Sequence, residues 1–184
     1  MSGEARPEHS CHGSNSVTQQ LARVTTEYLN FCRQAAEVSP DANPQWDPPR
    51  ADWIDLDWSP ASLRQLLKLA KVGPAAVAAL ERSTNGDALI DVSYLDHDDA
   101  VGTFGPPPRA VAPAAVAEIA TTLAAVDWEA VIAALPAGAQ EAATALGMSI
   151  TGDPRPYLTG HFEALRTFYQ QAAERRLTVV LWWD

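Results

Sequence analysis

Residues 156–184 read P-Y-L-T-G-H-F-E-A-L-R-T-F-Y-Q-Q-A-A-E-R-R-L-T-V-V-L-W-W-D, and the fold turns on this stretch. Tyr157 or Leu158, Phe162, Leu165, Phe168 or Tyr169, and Ala172 recur at three- and four-residue spacing, which marks one apolar face of an amphipathic helix. Glu174, Arg175 and Arg176 close that helix, with the two cations set against the negative end of its dipole. Leu177 to Trp183 then runs on as a near-continuous series of aliphatic, β-branched and aromatic residues. A strand with one wet face alternates, so a run this continuous predicts a strand covered on both faces. A helix feeding straight into a doubly buried strand is expected to form the centre of the core.

Working outward from it, Pro113 opens a predicted helix that buries Val116, Ile119, Ala120, Leu123 and Val126. Asp127 caps the next, from Trp128 to Leu135, and Pro136 ends it. An Ala-rich turn to Gly147 and a Gly152-Pro154-Pro156 loop lead into the final unit. Nearer the start, Ser16 to Val24 alternates weakly and reads as a first strand. Thr25 or Thr26 caps a helix whose stripe is Tyr28, Phe31, Cys32, Ala35 and Ala36. Four prolines between Ser39 and Ala51 make an extended connection, in which Trp46 is expected to anchor onto the core. Trp53 to Trp58 alternates as a strand, with Ile54, Leu56 and Trp58 on one side and Trp53, Asp55 and Asp57 on the other. Ser59-Pro60 caps and opens a helix with Leu63, Leu66, Leu67 and Ala70 inward; Gly73-Pro74 ends it and starts another, which stops near Asn85-Gly86. Leu89 to Leu95 is strand or irregular, and Asp96 to Pro108 is loop. Helices and strands do not alternate regularly, so the class is α+β, a helix-rich single domain around a small sheet.

The chain of 184 residues suits one domain. Residues 1–15 are polar and aperiodic and read as a disordered leader, leaving 16–184 as the folded unit. No window of about 18 apolar residues and no charged-then-apolar opening occurs, so a cytoplasmic location with no membrane contact is expected. Two cysteines, Cys11 and Cys32, give no disulfide framework. Thirteen cations against twenty-three anions give a net charge of -10. That balance argues against a nucleic-acid partner, since affinity there comes from Lys and Arg on phosphates, and is compatible with a basic protein partner.

Three segments together carry a resemblance. S-V-T-Q-Q-L-A-R-V-T-T-E-Y-L (Ser16 to Leu29), W-I-D-L-D-W-S-P-A-S-L (Trp53 to Leu63) and the closing unit from Tyr157 to Trp183 resemble the YfbM-like family, a bacterial domain of unknown function, in its actinobacterial form. The resemblance covers Ser16 to Asp184 and is most specific at its closing segment. It implies a single cytoplasmic α+β domain and brings no established reaction, cofactor or catalytic residue. Where many members have a His-containing helix, this chain has Ser62-Leu63-Arg64-Gln65-Leu66.

Candidate chemistry is sparse. His9-Ser10-Cys11-His12 offers zinc-type ligands without a fourth ligand or a scaffold, so no metal is expected there. Asp96, His97, Asp98 and Asp99 form the densest polar run, able to pair a histidine with a carboxylate, yet without the Gly and distal Glu of a calcium loop. Asp55 and Asp57, two apart on a strand, are expected on one face at roughly 7 Å, a spacing open to flanking a glycosidic bond or binding a cation. His161 sits at the edge of the last helix's stripe, and Trp58, Trp182 and Trp183 end strand segments where ligands or partners can meet a sheet. Gly102-Thr-Phe-Gly105 lacks the Lys of a phosphate loop, and no nucleophile or cofactor motif occurs. Two functions follow as expectations: a non-catalytic protein-binding module of immunity or regulatory type, or a small-molecule enzyme or ligand-binding domain using Asp55 and Asp57 with His97 or His161.

Overall fold

Residues 17–101 and 105–184 are described by the computed structural model. In order they form β1 (Gln19–Val24), α1 (Thr26–Val38), β2 (Trp53–Asp57), α2 (Ser59–Leu69), α3 (Pro74–Asn85), β3 (Arg109–Val111), α4 (Pro113–Ala124), α5 (Trp128–Ala133), α6 (Ala139–Ala145), α7 (Pro154–Glu174) and β4 (Thr178–Trp183). The leader, the His9–His12 cluster and residues 102–104 lie outside the described residues.

The four strands make one antiparallel sheet in the order β2-β1-β4-β3. β4 is therefore interior, paired with β1 from Gln19↔Trp183 to Val24↔Thr178 and with β3 on its other side. Its side chains alternate between two cores. Val179 and Leu181 face the helical layer with Leu21 of β1, Leu56 of β2 and the buried faces of α2 to α7. Val180 and Trp182 face a smaller core with Ala22, Val24, Leu29, Cys32, Trp46, Val92, Leu95 and Val101. Both faces are covered, which is why the run in β4 never alternates with polar residues. The α+β class expected from the sequence is the architecture found.

α7 anchors the large core. Leu158, Phe162, Leu165, Phe168, Tyr169 and Ala172 are all buried along it. Trp128 of α5 stacks on Phe162 at 4.1 Å between ring centroids, and its Nε1 donates to Thr159 Oγ1 at 3.0 Å. Near its C-terminal end α7 is tied to the sheet through Arg23, 7% exposed on β1. The guanidinium donates to Asp52 Oδ1 (2.8 Å), Gln171 Oε1 (2.7 Å) and the carbonyls of Phe168 and Ala51, and lies over the Phe168 ring. Arg175 reaches the same Asp52 carboxylate, whose pKa is held below the usual carboxylate range, first by that contact and then by Arg23.

Several local expectations are corrected. The buried stripe of α1 is Leu29, Cys32 and Ala35; Phe31 is half exposed and Tyr28 covers the margin, its hydroxyl accepting from Asp47 N. The Ala-rich stretch before Gly147 is a helix, α6, since Ala is the strongest helix former when no Pro or Gly interrupts. Of the two readings open for Leu89 to Leu95 the irregular one holds, with a 3₁₀ turn at Ser93–Leu95, and the fourth strand is Arg109–Val111. Pro154, not a later residue, opens α7, capped by Asp153.

Three helices end alike. After α2, α6 and α7 a residue in the left-handed region, Lys71 (φ 53°), Gly147 (φ 65°) or Arg176 (φ 54°), turns the chain. In each, the next amide bonds back to a carbonyl five residues earlier: Val72 to Leu67, Met148 to Ala143, and Leu177 to Ala172. This turn delivers the chain from α7 into β4.

Candidate functional site

The turn from β2 into α2 builds the site. Pairing of β1 with β2 slips between Gln19↔Asp57 and Gln20↔Asp55, so Leu56 is an extra residue, a β-bulge. Asp57 adopts φ 51°, and its amide is held by Asp55 Oδ1 at 2.7 Å. Ser59 opens α2 as its first residue and does not cap it; its hydroxyl donates back to Leu56 O at 2.7 Å.

The bulge changes which side chains share a face. One row across the sheet runs Asp57, Gln19, Trp183, on the side of the helical layer. The neighbouring row runs Asp55, Gln20, Trp182, on the opposite side. Hydrogen bonds agree with this division. Gln19 reaches the Thr84 carbonyl of α3 and Asp57 Oδ2 accepts from Tyr157 Oη of α7 at 3.1 Å. On the other side Thr18 Oγ1 donates to Asp55 Oδ2, and Gln20 links Thr18 to the Trp53 indole. The expected single face for Asp55 and Asp57 is overturned, because one inserted residue reverses side-chain parity.

Around Asp57 the helical side gathers aromatic and titratable groups. Tyr157 is half-buried, and burial followed by its bond to Asp57 pushes its phenol up to about 12. His161, one turn along α7, sets its ring edge against Tyr157 at 4.5 Å. Burial lowers the His161 pKa from the ordinary value, opposed by the negative charges of Asp57 and Asp55. Trp58 is 55% exposed, and its ring tilts against half-buried Trp183 at 6.3 Å. The result is a rim of aromatic surface with a carboxylate inside it: Asp57, Trp58, Tyr157, His161 and Trp183.

Other candidates take different places. Trp182 is 3% exposed, edge-on to Trp46 and tilted against Trp53, so it is core. The Asp96–Asp99 run is a clasp. His97 Nδ1 accepts from Asp99 N and Nε2 meets the Asp41 carbonyl, both at 3.1 Å, so each ring nitrogen has a partner. Asn43 Nδ2 donates to Asp99 Oδ2, completing the tie to the proline-rich connection. Ligand atoms of Asp41, His97 and Asp99 come within 4.8 Å of one another, but with both ring nitrogens engaged His97 has no lone pair to offer a cation. Asp96 and Asp98 are exposed beside the clasp.

Tyr157 was read from sequence only as an apolar-face residue. Its polar role had one signal, the i, i+4 spacing to His161, and nothing in the sequence pairs it with a carboxylate 100 positions away.

Residues 96–182 match the model of the family described as Domain of unknown function (DUF1877). The matched stretch runs from the His97 clasp through α7 into β4. It is narrower than the resemblance read over 16–184 and leaves out β1, β2 and the Asp57–Trp58 turn. No curated protein and no solved structure matches the chain. No helix among the described residues is long and apolar enough to cross a membrane.

Proposed function

We propose that this protein is a non-catalytic binding module, a cytoplasmic bacterial protein of YfbM-like kind, that takes a basic segment of a protein partner on the rim formed by Trp58, Trp183 and Asp57. The observation that carries the reading is an exposed tryptophan packed beside a second one, with a carboxylate between them and α7. Trp is enriched among residues that dominate binding energy, and an Arg or Lys head can sit on its face while bonding a nearby carboxylate. The net charge of -10 supports a basic partner, whose approach a surface of that sign accelerates. An enzyme built on Asp55 and Asp57 would need both carboxylates to converge with His97 or His161. The bulge separates the carboxylates, and the His97 nitrogens are already bonded to Asp41 and Asp99.

Photo-crosslinking in native cells tests this. With p-benzoylphenylalanine in place of Trp58, one dominant adduct to a protein of basic isoelectric point is expected. The same group at Leu89, which is 77% exposed and outside the rim, should give no such adduct. Pairing the Trp58 replacement with Asp55→Asn and Asp57→Asn should weaken the adduct. Equal adducts at both positions, or an acidic partner indifferent to the aspartates, would sink the reading.

A further inference from the structure

Beside this rim, and sharing Trp183 with it, a cleft of about 320 Å³ opens between the end of β4, the C-terminal end of α3 and the segment leading into β3. That volume lies at the small end of the range for small-molecule sites, roughly 300–1,000 Å³. Its walls are apolar where Trp183, Pro106 and Pro107 line it. Its polar groups are few and of distinct kinds. Arg109 is exposed and forms no ion pair among the described residues; Asp87, bridged to the next residue of the strand, is engaged by Arg82. Asn85 accepts from Arg64 through Oδ1, which leaves its Nδ2 as a donor. Gln19 also lines the cleft and is 3% exposed. Its Nε2 is spent on the Thr84 carbonyl, and its Oε1 is buried without a hydrogen-bond partner among the described residues. A buried acceptor left unpaired is costly, and such groups in folded proteins ordinarily find a donor.

We propose that this cleft binds a small planar carboxylate that carries its own O–H or N–H donor. The carboxylate pairs with Arg109, with Asn85 Nδ2 as a second donor. The ring lies along Trp183 and the prolines, and the ligand's O–H or N–H supplies the donor that Gln19 Oε1 lacks. The need for a cation at the mouth and a donor at the floor selects against neutral apolar molecules and against anions without a donor. The proposal does not rest on the protein-partner reading.

Three probes separate the terms: 4-hydroxyphenylacetate, 4-methoxyphenylacetate with the donor blocked, and 4-hydroxyphenylacetamide with the charge removed. Binding to the full chain is followed by calorimetry and by the Trp indole resonances. The acid should bind and shift the Trp183 indole, leaving Trp128 unmoved. The methoxy acid and the amide should each bind about tenfold more weakly or worse. Arg109→Gln, at an exposed site, should erase the preference for acid over amide without changing the melting temperature, and Gln19→Met should erase the preference for hydroxyl over methoxy. Failure of the acid to bind folded protein at about 10 mM, equal binding of all three probes, or binding unaltered in Arg109→Gln would overturn the assignment. None of these results bears on the crosslink at position 58, so the two readings fail separately.

Discussion

Because Leu56 and Asp57 share one face of β2, the carboxylate of Asp57 meets Tyr157 and the charge that reaches His161 comes mainly from that side. The histidine prefers its neutral form when folded, since burial penalises the imidazolium more than Asp57 and Asp55 favour it. An unfolded histidine titrates near 6.5, and the folded one below that, so between the two values the unfolded chain holds more protons. Protonation therefore favours unfolding, and the contribution is present above about 6.5 and lost as pH falls through that window. Denaturant melts of wild type and His161→Gln at pH 7.5 and 5.0 should show the wild type losing more stability than the variant; a parallel loss in both would mean His161 is not the titrating group. Asp57, Trp58 and His161 were all legible as candidates from the sequence. Their grouping was not, because a bulge adds one residue without any signature in composition and reverses every face assignment that follows it.

The helix ends carry a stabilisation the sequence does not use. At Lys71 and Arg176 a side chain occupies the left-handed region, which costs roughly 1–2 kcal/mol for residues other than Gly, while Gly147 fills the equivalent position after α6 without that cost. Both side chains are exposed. Lys71→Gly and Arg176→Gly should each raise stability by about 0.5–1 kcal/mol, or about 1–4 °C in melting temperature; a fall in either would show that its side chain makes contacts worth more than the strain. The reading of Arg175 and Arg176 as dipole partners was thus too simple, since one bridges to Asp52 and the other turns the chain. β4 obeys the stronger rule. Leu181 and Val179 are 3% and 0% exposed between α7's layer and the paired strands, and Leu181→Asp or Val179→Asp should yield no soluble, cooperatively melting protein, as an unpaired buried carboxylate costs several kcal/mol of a total near 5–15. A soluble variant with a sharp transition would contradict the interior placement. The α7–β4 unit was readable because its pattern is long and unbroken. β3 was not, since three residues carry too little periodicity to register, and on α1 the stripe Leu29, Cys32, Ala35 runs at the same three-residue spacing as one through Tyr28 and Phe31, so spacing alone does not choose between them.

Over the whole molecule, the single sheet divides the apolar residues into two unequal cores, and the polar groups that remain inside serve to hold segments together. Arg23 and Asp52 fasten α7 to the sheet, and His97 fastens its loop to the proline-rich connection. The α+β class was readable from the lack of regular alternation of helices and strands; how the distant segments meet was not, since the contacts of Arg23 with Gln171 and of His97 with Asp41 join residues more than 50 positions apart. On the outside, exposed Trp58 packs against half-buried Trp183 beside the Asp57 carboxylate. The most direct test of a rim that receives a basic partner is the rate of association with the protein captured at position 58, measured by stopped flow at about 50 and about 300 mM salt. Exposed charges act chiefly on encounter, so association of the wild type should slow several-fold with salt while dissociation changes little. Asp55→Asn with Asp57→Asn should already associate slowly at low salt, and Trp58→Ala should dissociate faster at both. Association rates that are identical for wild type and the aspartate variant at every salt concentration, with Trp58→Ala dissociating as slowly as the wild type, would contradict the account.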